Sequence, residues 1–204
     1  YVGFYYSIVN SKNKYSYNFV DSNFDNNNFK IIYESSLIIK NEIHDIDISN
    51  DTKSHNMIKY WMIKVNKTMC NNLYRCNPIP DKSKFEVIKK YLQIDNIENR
   101  EELFNKINNK DILLNYLLKN LLTKAYYTTK NNYHYGLGIN NYTHWTSPIR
   151  RGCDLINHCI LKGYNVDVNK YLDKLNINEE IQDSIEKFIN NYNLVIDINK
   201  QYDC

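Results

Sequence analysis

Between Tyr133 and Ile160 the chain reads YHYGLGINNYTHWTSPIRRGCDLINHCI, and this run limits what the polypeptide can fold into more than any other. A Gly-x-Gly pair and a string of aromatic rings give way at Ser147 to apolar side chains at helical spacing. Ser147 suits an N-cap and Pro148 the first helical position, so Ile149, Cys153, Ile156 and Ile160 would share one helix face. Arg150, Asp154 and His158 follow one another at four-residue intervals on the other face. Free N–H groups at a helix start, with two guanidinium groups beside them, form an anion site, and phosphate is the obvious anion.

Composition sharpens that reading. Only four arginines occur, Arg75, Arg100, Arg150 and Arg151, among 26 basic residues, so two placed side by side point to a need for the planar, bidentate fork. The 19 tyrosines accompany heavy use of Asn, Lys and Ile and are read as coding bias rather than as a general aromatic-binding surface. A net charge of +3 is too mild to predict nucleic-acid binding by itself. The odd set of Cys70, Cys76, Cys153, Cys159 and Cys204 lacks metal-ligand spacing and fits free thiols in a reducing compartment. No apolar run reaches membrane-span length and no signal-peptide pattern opens the chain. The expectation is a soluble, cytoplasmic protein with no membrane partner. A chain that opens on Tyr1 is expected to be a piece of a longer polypeptide.

At 204 residues there is material for one hydrophobic core. Residues 1–9 read as a strand, Tyr15–Val20 as a second strand or a strand entering a helix, and Phe29–Tyr33 and Leu37–Ile48 as hairpin strands. Met57, Ile58, Trp61, Met62, Val65, Met69 and Leu73 then repeat at three and four, predicting an amphipathic helix over Ser54–Tyr74. Shorter helices are expected at Phe85–Leu92, Glu101–Ile107, Asp111–Tyr126, Asp167–Leu175 and Glu179–Tyr192. The sum is one α+β domain over residues 1–204, with N-terminal strands and a mainly helical C-terminal two-thirds.

The segment HYGLGINNYTHWTSPIRRGCDLINH, His134 to His158, resembles the signature of the RNase II/RNase R family of RNB-domain exoribonucleases. The match runs through His134, Tyr135, Gly136, Leu137, Tyr142, Trp145, Thr146, Ser147, Pro148, Ile149, Arg150, Asp154, Leu155 and His158. Upstream, Met62-Ile63-Lys64-Val65-Asn66 is similar to the family's Met-Ile-x-x-Asn helix. Leu73-Tyr74-Arg75 with Pro80 is similar to its Leu-Tyr-Arg and proline turn, with Asn77 where a histidine is usual. The resemblance implies a partial RNB catalytic domain, without a recognisable cold-shock or S1 barrel, and 3′→5′ hydrolysis of single-stranded RNA to mononucleotides with Mg²⁺.

It also implies roles. Arg150 and Arg151 would neutralise charge building on the phosphorus. Tyr17, His134, Tyr142, Trp145 and Ser147 are the RNA-contact candidates, with packing as the competing reading for the histidine and the rings. Asp154 and His158 would support the site, Asp154 either as an i,i+4 partner of Arg150 or at the active centre.

Three departures bear on catalysis. The family's aspartate-rich motif lies ahead of the Tyr17 region, and none stands there, so the Mg²⁺ ligands are expected outside this segment. His44-Asp45-Ile46-Asp47 comes too late in the chain and offers only part of the oxygen set Mg²⁺ wants. Lys59 and Tyr60 occupy the places of two glutamates, and the stretch between Tyr17 and the Met-Ile helix is short, apparently without a helix of its own. A catalytically silent relative that binds single-stranded RNA is therefore the alternative to an active nuclease.

Overall fold

The computed structural model describes residues 10–43, 51–93, 100, 103 and 112–202. Helices α1 (Tyr17–Ser22), α2 (Asn27–Glu42) and α3 (Lys53–Thr68) come first. Strand β1 (Tyr74–Cys76), helices α4 (Lys82–Leu92) and α5 (Ile112–Leu121), strand β2 (Tyr126–Thr128), and helices α6 (Gly152–Leu161) and α7 (Asn169–Tyr202) follow. The class is α+β, as expected, with β1 and β2 antiparallel and Arg75 opposite Tyr127.

Tyr15–Val20, read as a strand or a strand entering a helix, runs directly into helix α1, and the strands expected at Phe29–Tyr33 and the described part of Leu37–Ile48 are instead helix α2. Capping decides the matter. Ser16 Oγ accepts the Phe19 N–H and Asn26 Oδ1 accepts the Asn28 N–H, each satisfying a donor that a helix start leaves open. Ile31 and Ile38 mimic strand alternation but stand in solvent, while Ser36 and Ile39 turn inward. α2 also supplies the helix between Tyr17 and α3 that the sequence seemed to lack. The strand expected at residues 1–9, the His44–Asp47 segment and most of the helix expected at Glu101–Ile107 lie outside the described residues.

α3 is helical over most of the predicted Ser54–Tyr74 but ends at Thr68, with Tyr74 opening β1, and it buries a different face. Ser54, Met57, Tyr60, Ile63 and Asn66 point inward, whereas Ile58, Trp61 and Met62 are exposed. Tyr60 and Ile63 pack with Ile39 and Ile43 of the α2 end and with Ile139 and Tyr142 of the glycine-rich run. The Asp21 carboxylate accepts from Ser54 N (3.0 Å) and Ser54 Oγ (2.8 Å), fixing α1 on the first turn of α3. A second core joins Ile88, Leu103, Leu114, Leu118 and Leu121. A third joins Leu73, Tyr127, Cys153, Val168 and Leu175.

The two C-terminal helices predicted from sequence form the single 34-residue α7. Asn176, where a break was expected, is held in place by β2. Its Oδ1 accepts from Tyr127 N (2.6 Å) and its Nδ2 donates to Tyr127 O (3.1 Å). Asparagine is a weak helix former rather than a breaker, and this pairing outweighs its small propensity cost.

Candidate nucleic-acid interface

The run from Tyr133 to Trp145 is clamped by three buried asparagines from different elements. Asn77, just after β1, accepts the Gly136 N–H (2.8 Å) and donates to Thr123 O. From α3, Asn66 donates to Tyr142 Oη (3.1 Å) and accepts from Trp145 N (2.9 Å). From α6, Asn157 donates to Thr143 Oγ1 and His144 O, both at 2.9 Å. Gly138 is needed for its backbone: φ is +69°, and a Cβ there would lie 2.8 Å from Arg100 Nη1. Arg100 in turn donates to Tyr135 O and Gly136 O (2.6 and 2.8 Å).

The arginine segment differs from its expected form. α6 begins at Gly152, with Arg151 in the cap position, and Ser147–Arg150 is a turn closed by Arg150 N donating to Ser147 O (3.2 Å). Pro148 serves that turn at its second position rather than opening the helix. Ile149, expected on the apolar face, is fully exposed at the tip. Asp154 explains the change. Its buried Oδ1 accepts from Ser147 N and from Arg151 Nη2, both at 2.7 Å, which draws the turn back over the first turn of α6. The partner of Asp154 is thus Arg151, and the Arg150 bridge expected from i,i+4 spacing does not form. Arg150 is exposed and, among the described residues, makes no ion pair or hydrogen bond through its side chain.

The other candidates divide into two groups. His134, Tyr142 and Trp145 are buried parts of the clamp rather than open contact surface. Arg75 Nη1 donates to His134 Nε2 (3.2 Å) and Nη2 pairs with Glu179 of α7 at 2.7 Å. His158 stacks on Trp145 (4.2 Å between centroids) and donates from Nε2 to Trp145 O (3.0 Å). Tyr17 stands apart: its half-exposed ring stacks on His55 at 3.8 Å, in the first turn of α3. His55 and Asn66 are separated by roughly 16 Å of helix, and His55, Lys59, Met62 and Asn66 fall along one stripe of α3 between them.

Sequence reading missed Glu179, Thr143 and Asn157 as parts of this clamp. A buried asparagine or threonine leaves no periodicity signal, and only the partner positions reveal it.

Burial, with help from the Arg75 guanidinium, pushes the His134 imidazole down to about 3. His144, packed against Tyr127 and Tyr142, is also pushed down by burial, then by Arg75 and Arg151. Both rings are neutral in the fold, while in the unfolded chain they take up protons near pH 6.5. Stability is therefore complete above about pH 6.5 and lost as pH falls below it, at up to about 1.4 kcal/mol per pH unit for each histidine. Urea midpoints at pH 7, 6 and 5 should fall in step, and His134→Gln should flatten the slope.

Among the described residues no three His, Cys, Asp or Glu side chains gather as a metal would require. Asp154, the buried carboxylate beside the arginines, gives Oδ1 to Arg151 and Ser147 N and leaves Oδ2 buried without a hydrogen-bond partner, so it offers a cation one oxygen where Mg²⁺ wants several. The described residues therefore do not fit a Mg²⁺ centre.

A sequence profile described as "RNB domain" matches residues 22–166. Ribonuclease R 2 of Lactococcus lactis is 30% identical over 154 residues, covering 66% of this chain and 23% of the relative. Ribonuclease R of Aquifex aeolicus is 30% identical over 151 residues, with 58% and 20% covered. The chain thus spans less than a quarter of these relatives' length. In fold it is similar to Mycoplasma genitalium RNase R in complex with double-stranded RNA, at a TM-score of 0.70 and 23% identity over 91% of this chain and 45% of that one. It is also similar to yeast Ssd1, a pseudonuclease, at 0.65 and 20% identity over 80% and 27%. The match over residues 22–166, through the glycine-rich run and the arginine turn, makes this chain a member of the RNB-domain family.

Proposed function

We propose that this chain carries the phosphate-facing part of a 3′→5′ exoribonuclease domain that hydrolyses single-stranded RNA to nucleoside monophosphates. The observation that carries the reading is Arg150, an exposed guanidinium on a turn whose backbone is pinned from behind by Asp154 and Arg151. A fixed, unpaired fork of donors binds two phosphate oxygens at once and opposes the negative charge that grows there during displacement. Arg151 keeps the turn in place and Tyr17 supplies a ring for a base at the far end of the α3 stripe. A strand lying along that stripe would pass Lys59 between them. Mg²⁺ would come with carboxylates outside the described residues.

A second reading has its own support. Lys59 places an ammonium on the α3 stripe, which favours phosphate and disfavours a divalent cation nearby. The fold likeness to a pseudonuclease is compatible with an RNA-binding protein that has no hydrolytic step. End-labelled single-stranded RNA incubated with the 204-residue chain, and with any longer natural form, separates the two. Mg²⁺-dependent release of mononucleotides by the longer form supports the nuclease. Salt-sensitive binding without shortening supports the silent protein. Robust hydrolysis by the 204-residue chain alone would mean that the metal ligands lie within it.

A further inference from the structure

The segment leading into α1 presents a second group of aromatic rings that the arginine turn and Tyr17 do not use. Tyr15 and Phe19 lie nearly parallel, with centroids 5.1 Å apart and 13° between planes. Tyr15 also meets the edge of Phe29, in the first turn of α2, at 5.4 Å and 81°. Two anchors hold the pair still: the Ser16 cap on Phe19 N, and Asn23, whose Nδ2 donates to Phe19 O (2.8 Å). Yet Tyr15 is 52% and Phe19 46% exposed. Stacked rings that are already ordered and half open to solvent can accept a further planar ring at little cost in conformational freedom.

Charge narrows the choice of occupant. Lys12 and Lys14, both exposed, lead into Tyr15 in the chain, and Lys30 follows Phe29. Asp21, the carboxylate on α1 itself, is occupied by Ser54. Rings interleaved with ammonium groups match a strand that alternates bases and phosphates, and a base of any identity offers a π-face. We infer that the Tyr15–Phe19 stack with Lys12 and Lys14 is a docking platform for unpaired nucleobases of single-stranded RNA. It is a ring pair distinct from Tyr17–His55 and from the phosphate contact at Arg150. The inference rests on the RNA-binding reading above and adds to it a site whose sequence tolerance comes from stacking.

The test uses the whole chain and an oligouridylate carrying one 2-aminopurine, whose emission is quenched by stacking. Tyr15→Ala/Phe19→Ala should lower affinity about tenfold or more at every salt concentration and relieve the quenching. Lys12→Ala/Lys14→Ala should instead make the dependence on salt less steep. Tyr15→Trp/Phe19→Trp should keep affinity and quenching, which a merely structural role for these rings would not predict. A blunt RNA duplex, with no unpaired base to offer, should bind equally to the unsubstituted chain and to both ring variants. Unchanged single-strand affinity in the alanine variant, while Arg150→Ala still weakens binding, would overturn the platform and leave the arginine site standing. Equal loss in the alanine and tryptophan variants would overturn it as well. If the unsubstituted chain bound no RNA, the platform would fall together with the reading beneath it.

Discussion

Asp154→Ala should destabilise the fold by about 3–5 kcal/mol, the largest loss expected from any single side chain near the arginine turn. The carboxylate is fully buried, and its Oδ1 alone receives both the Arg151 guanidinium and the Ser147 N–H. Removing it strands a largely buried cation and an amide donor at once, and each then bears its desolvation cost without a partner. Asp154→Asn keeps an acceptor of the same shape and should lose less, because only the charge is gone. Urea unfolding at pH 7 measures both, and a loss below about 1 kcal/mol for the alanine variant would show that the turn does not depend on this residue. The same variant should bind RNA poorly even under conditions where it stays folded. The turn that presents Arg150 is shaped by Asp154, not by the intrinsic preference of Ser-Pro-Ile-Arg.

This dependence explains why the sequence was a good guide to some features and a poor one to others. The α3 helix, the apolar α5 and the helix containing Asp154 and His158 all announce themselves through spacing that any helix needs. The exact start of that last helix did not. Ser147-Pro148 is an equally good opening for a helix or a tight turn, and a carboxylate seven residues later chose the turn. Likewise α2 carries isoleucines at strand-like positions, and the Asn26 cap tips the balance towards helix. On α3, apolar residues cover more than one face, so periodicity alone could not say that Tyr60 and Ile63 go in while Trp61 and Met62 stay out. That choice belongs to α2 and the glycine-rich run, which pack on it. At the site, the arginines, Ser147 and Asp154 were legible as a group, but their pairing was not. The clamp of Asn66, Asn77 and Asn157 consists of contacts between residues far apart in sequence, and no single segment contains the information.

The pairing leads to opposite outcomes for two adjacent residues with the same side chain. Arg150→Ala should leave the unfolding midpoint unchanged, since the exposed guanidinium supports nothing in the fold. It should lower affinity for single-stranded RNA by roughly 10- to 100-fold, the range for loss of a charge-assisted hydrogen bond. In a hydrolytically competent longer form it should reduce turnover by about 10²–10³, as removal of a transition-state donor does. Arg150→Lys keeps the charge but not the planar fork, so it should restore part of the affinity and little of the turnover. Arg151→Ala should do the reverse. It leaves the buried Asp154 carboxylate without its cation, so stability should fall by several kcal/mol. Any loss of RNA affinity beyond the unfolded fraction should be smaller than that of Asp154→Ala, because Ser147 N keeps its acceptor. Side-by-side binding isotherms and urea titrations on the two alanine variants decide the matter. If Arg150→Ala stays folded and retains full RNA affinity, phosphate is not what this turn presents its free guanidinium to.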